Sequence, residues 1–362
     1  MFRDLIRHSR RLAGLILLVA TAAGTALAQT STRGTVEPIM AADVRQALEQ
    51  ADVMQPGSTG NTSATQQAAV FRVNTQVMTP VGRVAVRLVF TLDSLLRDDR
   101  RVIVLVPGTL ANGAAYYDVQ VSGFEGFDAA AVLARQSFIA ALPDLPGTGG
   151  SDRPEDGRAV SIETDAMAVR AVAQTAGLVF EAPRIDIYGE TGVGGNVALR
   201  LARESWVRTV TGSGMLYLEP GQATLVLFTP EFGALLDSLP GGYLPQTADQ
   251  IAPFFPFTPA PVREAAVAAV LGPPPGTIPT GAFYQLRAQA NPTPPPFMVG
   301  PIVDPRPAVA PGFFLQGDAD VVAVPGDTAH LAADYGSAGG GHAISVTLTG
   351  GSHLSRYDAG VG

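Results

Sequence analysis

Short apolar runs alternate with amphipathic segments over most of the chain. Arg101 to Val106 is a continuous run of mainly β-branched residues, which is typical of a strand buried on both faces. Similar runs predict strands at Ser137 to Leu142, Arg184 to Tyr188, Val207 to Leu216, Gly312 to Gln316 and Ala343 to Leu348. Helical periodicity predicts helices at Phe127 to Gln136, Ser161 to Ala176 and Asp327 to Asp334. Alternating strands and helices predict an α/β fold, with a mostly parallel sheet and helices on both faces.

Two further regions depart from this alternation. Phe71 to Met78 and Val81 to Leu92 alternate apolar and polar residues around a Thr-Pro-Val-Gly turn, which predicts a hairpin. Residues 219–310 hold most of the 29 prolines, with short helices such as Val262 to Leu271 between them. A linker is one interpretation, but the segment is rich in Phe, Leu and Tyr. We therefore predict an inserted cap over the sheet edge, between core segments 69–218 and 311–362.

The N-terminus has the pattern of a processing signal. Four arginines precede an apolar run, Leu12 to Ala23, and Ala26-Leu27-Ala28 fits a cleavage site. Residues 1–28 are predicted to be a signal peptide, with an uncleaved anchor as the alternative. Residues 29–68 are polar and predict a flexible leader. The mature protein is thus expected to be secreted or periplasmic, with no stable membrane span.

Composition excludes several functions. Removing four arginines and one aspartate with the signal changes the formal charge from −8 to −11, so nucleic acids and anionic membranes are poor partners. The chain has no cysteine, which excludes disulfides, thiolate zinc sites and cysteine nucleophiles. No metal or cofactor is implied, and the sequence does not determine the oligomeric state.

The central stretch runs from Arg184 to Leu199. It predicts a strand, a tight glycine turn and a helix from Asn196 to Glu204. Two motifs use this geometry, the nucleophile elbow and the phosphate loop. The phosphate loop requires Lys and Ser/Thr where Gly195 and Asn196 stand, and the chain contains no lysine. A working nucleotide hydrolase is therefore disfavoured.

Residues 70–362 resemble the α/β-hydrolase family. Val106-Pro107-Gly108-Thr109 resembles the turn after a strand that supplies an oxyanion N–H group. Pro143 to Pro154 is close to the family's D-x-P-G-x-G-x-S-D-x-P loop and is the most specific match. The central stretch resembles the elbow. Gly317-Asp318-Ala319-Asp320 and Gly351-Ser352-His353 resemble the strand ends that carry the acid and the histidine, in the family's order.

The histidine and the acid can be chosen among few candidates. The chain has 4 histidines, and His8 lies in the predicted signal. His353 follows a strand and a Gly-Gly-Ser turn, which predicts a position at the carboxyl edge of the sheet. His342 is the weaker alternative, and His330 lies within a predicted helix. The family spacing favours Asp320 as the acid over Asp318.

The nucleophile remains open. Read from the strand side, the elbow places Thr191 at the nucleophile position; read back from Gly194-Gly195-Asn196, it places Gly192 there. The turn is then one residue longer than the family's and contains no serine. Either Thr191 attacks, or the site is degenerate, or another residue such as Ser213 acts. The resemblance implies oxyanion donors at the N–H groups of Thr109 and Gly192.

The expected function follows from these residues. A triad of Thr191, His353 and Asp320 predicts cleavage of an ester or amide bond in a small-molecule or peptide substrate. The alternative is a catalytically degenerate relative that binds a small ligand in the capped pocket. The fold alone does not name the substrate.

Overall fold

A computed structural model describes residues 42–44, 46, 69–272, 276–289, 301–354 and 358. The predicted signal peptide and nearly all of the predicted leader lie outside these residues. In the leader, residues 42–44 and 46 are helical, and Val44 is buried in the main core. No helix in the described ranges is long and apolar enough to cross a membrane.

The centre of the molecule is an eight-stranded sheet in the order β1-β2-β4-β3-β5-β6-β9-β10. The strands are β1 (Val70–Thr79), β2 (Gly82–Thr91), β3 (Arg101–Val106), β4 (Phe138–Pro143), β5 (Ile185–Glu190), β6 (Val207–Ser213), β7 (Tyr243–Pro245), β8 (Thr277–Pro279), β9 (Gly312–Gly317) and β10 (Ala343–Leu348). β1 and β2 form the predicted antiparallel hairpin, β2 is also antiparallel to β4, and the remaining neighbours in the sheet are parallel. The predicted mostly parallel sheet is confirmed.

Helices cover both faces of this sheet. They are α1 (Leu92–Leu96), α2 (Gly113–Tyr117), α3 (Ala129–Arg135), α4 (Ile162–Val179), α5 (Thr191–Leu201), α6 (Pro230–Ser238), α7 (Ala248–Ile251), α8 (Ala260–Leu271), α9 (Gly281–Ala288) and α10 (Asp327–Asp334). Ser161 caps α4 by accepting the N–H of Thr164. The predicted helix Ser161 to Ala176 is present, but it begins one residue later, at Ile162, and ends three residues later, at Val179.

Alternate side chains of β3 enter two separate cores. Val102 and Val104 of β3 pack in the larger core, together with residues of α4, α5 and α10. Leu105, next in the same strand, packs in the smaller core with residues of α2, α3 and α8. This alternation is the period-two pattern of a strand with a helical layer on each side. Helices therefore pack against both faces of the sheet and support its carboxyl edge.

Residues 219–310, called the insertion below, lie between β6 and β9. Their described part contains α6 to α9 and the small antiparallel pair β7–β8. Side-chain hydrogen bonds attach it to the rest of the molecule, among them those of Gln285 and Arg158. Gln285 accepts the N–H of Ile162 at 2.8 Å, and Arg158 donates to the carbonyl of Leu239 at 2.9 Å.

Candidate active site

Thr191 occupies a strained junction between β5 and α5. Glu190 is the last residue of the strand, and Thr191, with φ of 57°, is the first residue of the helix. Among the described residues, the other non-glycine residues with positive φ are Ser137 and Glu181. Both follow the ends of helices, where left-handed residues are common. A β-branched residue in this conformation at a strand-to-helix junction is a genuine outlier, and such strain clusters at functional sites.

The predicted glycine turn with a helix beginning at Asn196 is wrong, because α5 begins at Thr191. The glycines lie inside the helix, where they permit close packing. A Cβ at Gly194 would overlap the carbonyl oxygen of Val106, and one at Gly195 would lie 2.6 Å from Met215 Cγ. The extra turn residue inferred from the sequence does not exist, and Gly192, unlike Thr191, has no positive φ. The left-handed elbow position is therefore occupied by Thr191.

The Thr191 side chain packs against Gly108, in the segment that follows β3. A Cβ at Gly108 would overlap the Thr191 hydroxyl, so the glycine makes room for it. Within the described part of the chain, Thr191 Oγ1 forms no hydrogen bond with a side chain or with the backbone. Its hydroxyl is thus held by packing alone.

His353 and Asp320 form a buried pair. His353 Nδ1 lies 3.0 Å from Asp320 Oδ1 and 3.2 Å from Oδ2. The two residues are only 5% and 6% exposed. The carboxylate also accepts the N–H of Val322 at 2.8 Å, which fixes its orientation. This arrangement leaves Nε2 as the imidazole nitrogen available to a ligand.

The residues around the imidazole leave it little freedom. Gly214, with φ of 58°, lies so close that a Cβ would come within 2.9 Å of His353 Nδ1. The ring of Phe254, from the insertion, lies 5.8 Å from the imidazole, measured between centroids. A glycine on one side and an aromatic ring on another therefore restrict the orientation of His353.

The alternative candidates for the acid and the histidine lie away from the buried pair. Asp318 is exposed and accepts the N–H of Gly350 at 2.8 Å, so it stabilises the turn after β10. The side chain of His330 is 63% exposed, and its Nε2 lies 3.9 Å from Glu219. The carbonyl of His342 accepts the N–H of Gly312 at 2.8 Å, at the opposite end of β10 from His353.

Ser213 and Asp144 also lie outside the site. Ser213 is paired with Glu190 across β5 and β6, is 4% exposed, and does not line the cavity described below. Asp144 accepts the N–H groups of Ala114 and Gly150, each at 2.9 Å, while burial raises the pKa of its carboxyl. Asp144 thereby holds the predicted 143–154 loop together.

The histidine segment has a support that sequence reasoning missed. Asp358 accepts the N–H of Ser352 at 2.6 Å and its hydroxyl at 3.0 Å, directly before His353. Burial raises the pKa of the Asp358 carboxyl. No motif in the sequence distinguishes Asp358 from an ordinary surface aspartate near the C-terminus.

A cavity of about 350 Å³ lies between the sheet edge and the insertion. Thr191, Gly192, Thr109 and His353 all line it, so the structure brings together four of the five predicted site residues at its wall. Asp320 lies behind His353. Most of the remaining wall is aliphatic or aromatic, with Leu227, Phe232 and Phe283 supplied by the insertion. Among the described residues of the wall there is no Asp, Glu or Arg.

Comparison with known proteins agrees with this architecture. No protein-family model matches the chain, and no curated protein matches it in sequence. Solved structures do match. A thermophilic esterase from Thermogutta terrifontis is similar over 79% of this chain and 93% of its own, at 15% identity and a TM-score of 0.53. An esterase from a Rhodococcus species covers 80% and 93%, at 17% identity and a TM-score of 0.51.

A thioesterase domain from the curacin biosynthetic pathway is also similar, over 80% of this chain and 96% of its own, at 14% identity and a TM-score of 0.51. The chain has the α/β-hydrolase fold. The resemblance of the sequence to this family is thereby confirmed at the level of fold. In an α/β-hydrolase fold, the strand–turn–helix elbow and the last strands meet at the carboxyl edge, where Thr191, Asp320 and His353 lie.

Proposed function

We propose that this chain is a hydrolase of carboxylic esters, in which Thr191 is the nucleophile, His353 the base and Asp320 the residue that orients the base. One observation carries the proposal: a buried histidine–aspartate pair and a threonine in a strained elbow open onto the same cavity. The names of the similar structures, two esterases and a thioesterase domain, support the same class of reaction.

Acylation begins with proton transfer from the Thr191 hydroxyl to His353 Nε2. The oxygen attacks the ester carbonyl carbon, and Asp320 stabilises the resulting imidazolium through Nδ1. The tetrahedral intermediate then expels the alcohol, which takes the proton from Nε2. An acyl-threonine ester remains. In the second half, Nε2 takes a proton from water, the hydroxide attacks the acyl carbon, and the proton returns to Thr191 as the acid leaves.

The oxyanion is stabilised by backbone donors. Gly192 is the second residue of α5, and the first N–H groups of a helix have no partner within it. Thr109 follows β3, and within the described residues its N–H donates to no protein acceptor. Both residues line the cavity. Donors that are fixed before the reaction stabilise developing negative charge without reorganisation.

The wall of the cavity limits the substrate to uncharged, apolar acyl groups. A charged acyl chain or the amino terminus of a peptide would lose its hydration without gaining an ionic partner, which is costly. Aliphatic and aromatic side chains instead favour a hydrocarbon chain. The volume of about 350 Å³ lies near the lower end of typical ligand pockets, which favours short to medium acyl chains.

A series of p-nitrophenyl esters tests this proposal. We expect kcat/KM to rise about fourfold per methylene from acetate to hexanoate, because each buried methylene contributes about 0.8 kcal/mol. Hydrolysis of the hemisuccinate ester should be at least about 100-fold slower than that of butyrate, because its charge must be desolvated. A His353→Ala variant gives the background rate of hydrolysis without the proposed base. A flat series, or a preference for the charged ester, would contradict the substrate class.

A second function is favoured by one observation. Thr191 Oγ1 packs against Gly108 and makes no hydrogen bond to His353, so attack requires rotation about χ1, which is stiff in a β-branched residue. A degenerate site that binds a small apolar ligand in the cavity would need no such rotation. Calorimetric binding of hexanoate esters without turnover would identify this function.

We also propose that the protein is exported, on the basis of residues 1–28. Expression in a bacterial host followed by N-terminal sequencing of the periplasmic fraction tests this. A mature chain that begins at Gln29 is expected, and an uncleaved chain in the membrane fraction would contradict it.

A further inference from the structure

The segment that follows β3, Gly108 to Ala111, is held by a residue from the insertion. The side-chain amide of Gln246 donates from Nε2 to the Thr109 carbonyl at 2.9 Å, and its Oε1 accepts the Ala111 N–H at 2.8 Å. Gln246 follows β7 and lies 137 residues beyond Thr109 in the chain. It is 7% exposed. One buried side chain therefore binds both a carbonyl and an N–H group of a loop that is distant in sequence.

Other bonds satisfy some of the remaining polar groups of this loop. The Ala111 carbonyl accepts the N–H of Gly149 at 2.8 Å, and the Leu110 N–H donates to the Gly108 carbonyl at 2.9 Å. Buried backbone groups are nearly always paired. Within the described residues, the Thr109 N–H, like that of Gly108, donates to no protein acceptor. It is also the donor proposed for the oxyanion.

The Gln246 contacts constrain that donor directly. The Thr109 N–H and the Thr109 carbonyl belong to successive peptide planes that share one Cα. The Thr109 carbonyl and the Ala111 N–H belong to the next two peptide planes, and anchoring both limits rotation at Thr109, so the orientation of its N–H depends on Gln246. Preorganised donors owe their effect to this kind of fixed orientation.

The insertion approaches the loop closely at a second point. A Cβ on Gly276 would overlap the Cβ of Ala111, so a glycine is required there. The Gly276 carbonyl accepts the backbone N–H of Gln246 at 3.1 Å. The β7–β8 pair thus presents Gln246 to the loop from a rigid base.

We propose that Gln246 is a positioning residue for the oxyanion donor of Thr109. The insertion then completes the catalytic machinery, and does not only cover the cavity. This inference rests on the proposed function, but the order of the loop can be measured without activity.

Gln246→Met is the test variant, because it keeps the side-chain volume and removes both hydrogen bonds. We expect kcat for p-nitrophenyl butyrate to fall about 10- to 100-fold, somewhat less than the loss of a whole oxyanion donor, with KM changed less than about threefold. The affinity for a butyl trifluoromethyl ketone should fall by the same factor as kcat. Hydrogen exchange of the Ala111 amide should accelerate at least about tenfold, because its acceptor is removed.

Gln285→Met is the matched control. Gln285 also joins the insertion to the core by one hydrogen bond, to the N–H of Ile162, and it does not line the cavity. Its loss should leave kcat within about twofold. Gln246→Glu keeps an acceptor for the Ala111 N–H but has no donor for the Thr109 carbonyl, so an intermediate kcat is expected. This second variant decides the question if Gln246→Met does not fold.

Several outcomes would overturn the inference. An unchanged kcat in Gln246→Met, or an equal loss in Gln285→Met, would show that the contact does not position the donor. If the unmodified protein hydrolyses no ester of the series, the proposed function fails by itself. The exchange measurement then still decides whether Gln246 orders the loop, and an unchanged rate at Ala111 would reject that role as well.

Discussion

Thr191→Gly is expected to abolish ester hydrolysis and to stabilise the protein at the same time. Loss of the attacking oxygen should lower kcat by about 10⁴-fold or more. Thr191 has a φ of 57°, and a non-glycine residue in this region costs roughly 1–3 kcal/mol, which glycine avoids. Glycine also loses more entropy on folding, by about 0.5–1 kcal/mol. A net gain of about 1 kcal/mol should appear in urea unfolding, and a rise of roughly 2 °C in Tm.

Thr191→Ser is the matched control for this experiment. It keeps the hydroxyl and removes the methyl group that makes the side chain stiff about χ1. Activity should be retained and should rise about three- to tenfold, because rotation of the hydroxyl toward His353 then costs less. Equal activity in the glycine variant and the unmodified protein would exclude Thr191 as the nucleophile. A large loss of stability in the glycine variant would show that the strain argument is wrong.

Asp320→Asn is expected to lower kcat by about 10³- to 10⁴-fold while the fold is retained. The asparagine amide can donate to His353 Nδ1, which stabilises the tautomer with its proton on Nε2, so the imidazole can no longer accept a proton there. The fold should persist because the side-chain oxygen can still accept the N–H of Val322. Steady-state hydrolysis of p-nitrophenyl butyrate, together with far-UV circular dichroism, measures both effects.

Asp318→Asn provides the comparison. Asp318 lies two residues before Asp320, and its carboxylate accepts only the N–H of Gly350 among the described hydrogen bonds of its side chain. An asparagine oxygen can replace that acceptor, so kcat should stay within about twofold. If Asp318→Asn were the more damaging substitution, the acid would have to be reassigned.

The regular part of the fold could be predicted from sequence because its apolar pattern is strong. β3, β10 and α10 begin and end at the predicted residues. β3 is an apolar, largely β-branched run, and strands buried in a parallel sheet give this pattern regardless of tertiary context. The hairpin was predictable from its alternation of apolar and polar residues.

The elbow could not be predicted from the sequence, because glycine occurs both in turns and at close contacts within helices. Gly192, Gly194 and Gly195 were interpreted as a turn, since glycine disfavours helices by about 1 kcal/mol. In the folded protein Gly194 and Gly195 let α5 approach β3 and Met215, and packing overrides the local preference. Only the backbone angle at Thr191 shows which residue occupies the strained position.

The residues that support the site, Gln246 and Asp358, could not be predicted from the sequence for another reason. Gln246 bonds to a loop 135 residues away, and Asp358 accepts the backbone N–H of Ser352. Neither the Gln246 contact nor the Asp358 contact follows from a local sequence pattern or a motif. Side-chain bonds to distant backbone depend on the complete fold, so they appear only in the structure.

The most direct test is to search for the acyl-enzyme. The protein is mixed with p-nitrophenyl butyrate, quenched in acid within the first turnovers, and analysed by intact mass and peptide mapping. A single butyryl group on Thr191, missing in Thr191→Gly, is the predicted result. Hydrolysis without any adduct on Thr191, or an adduct on Ser213, would contradict the account.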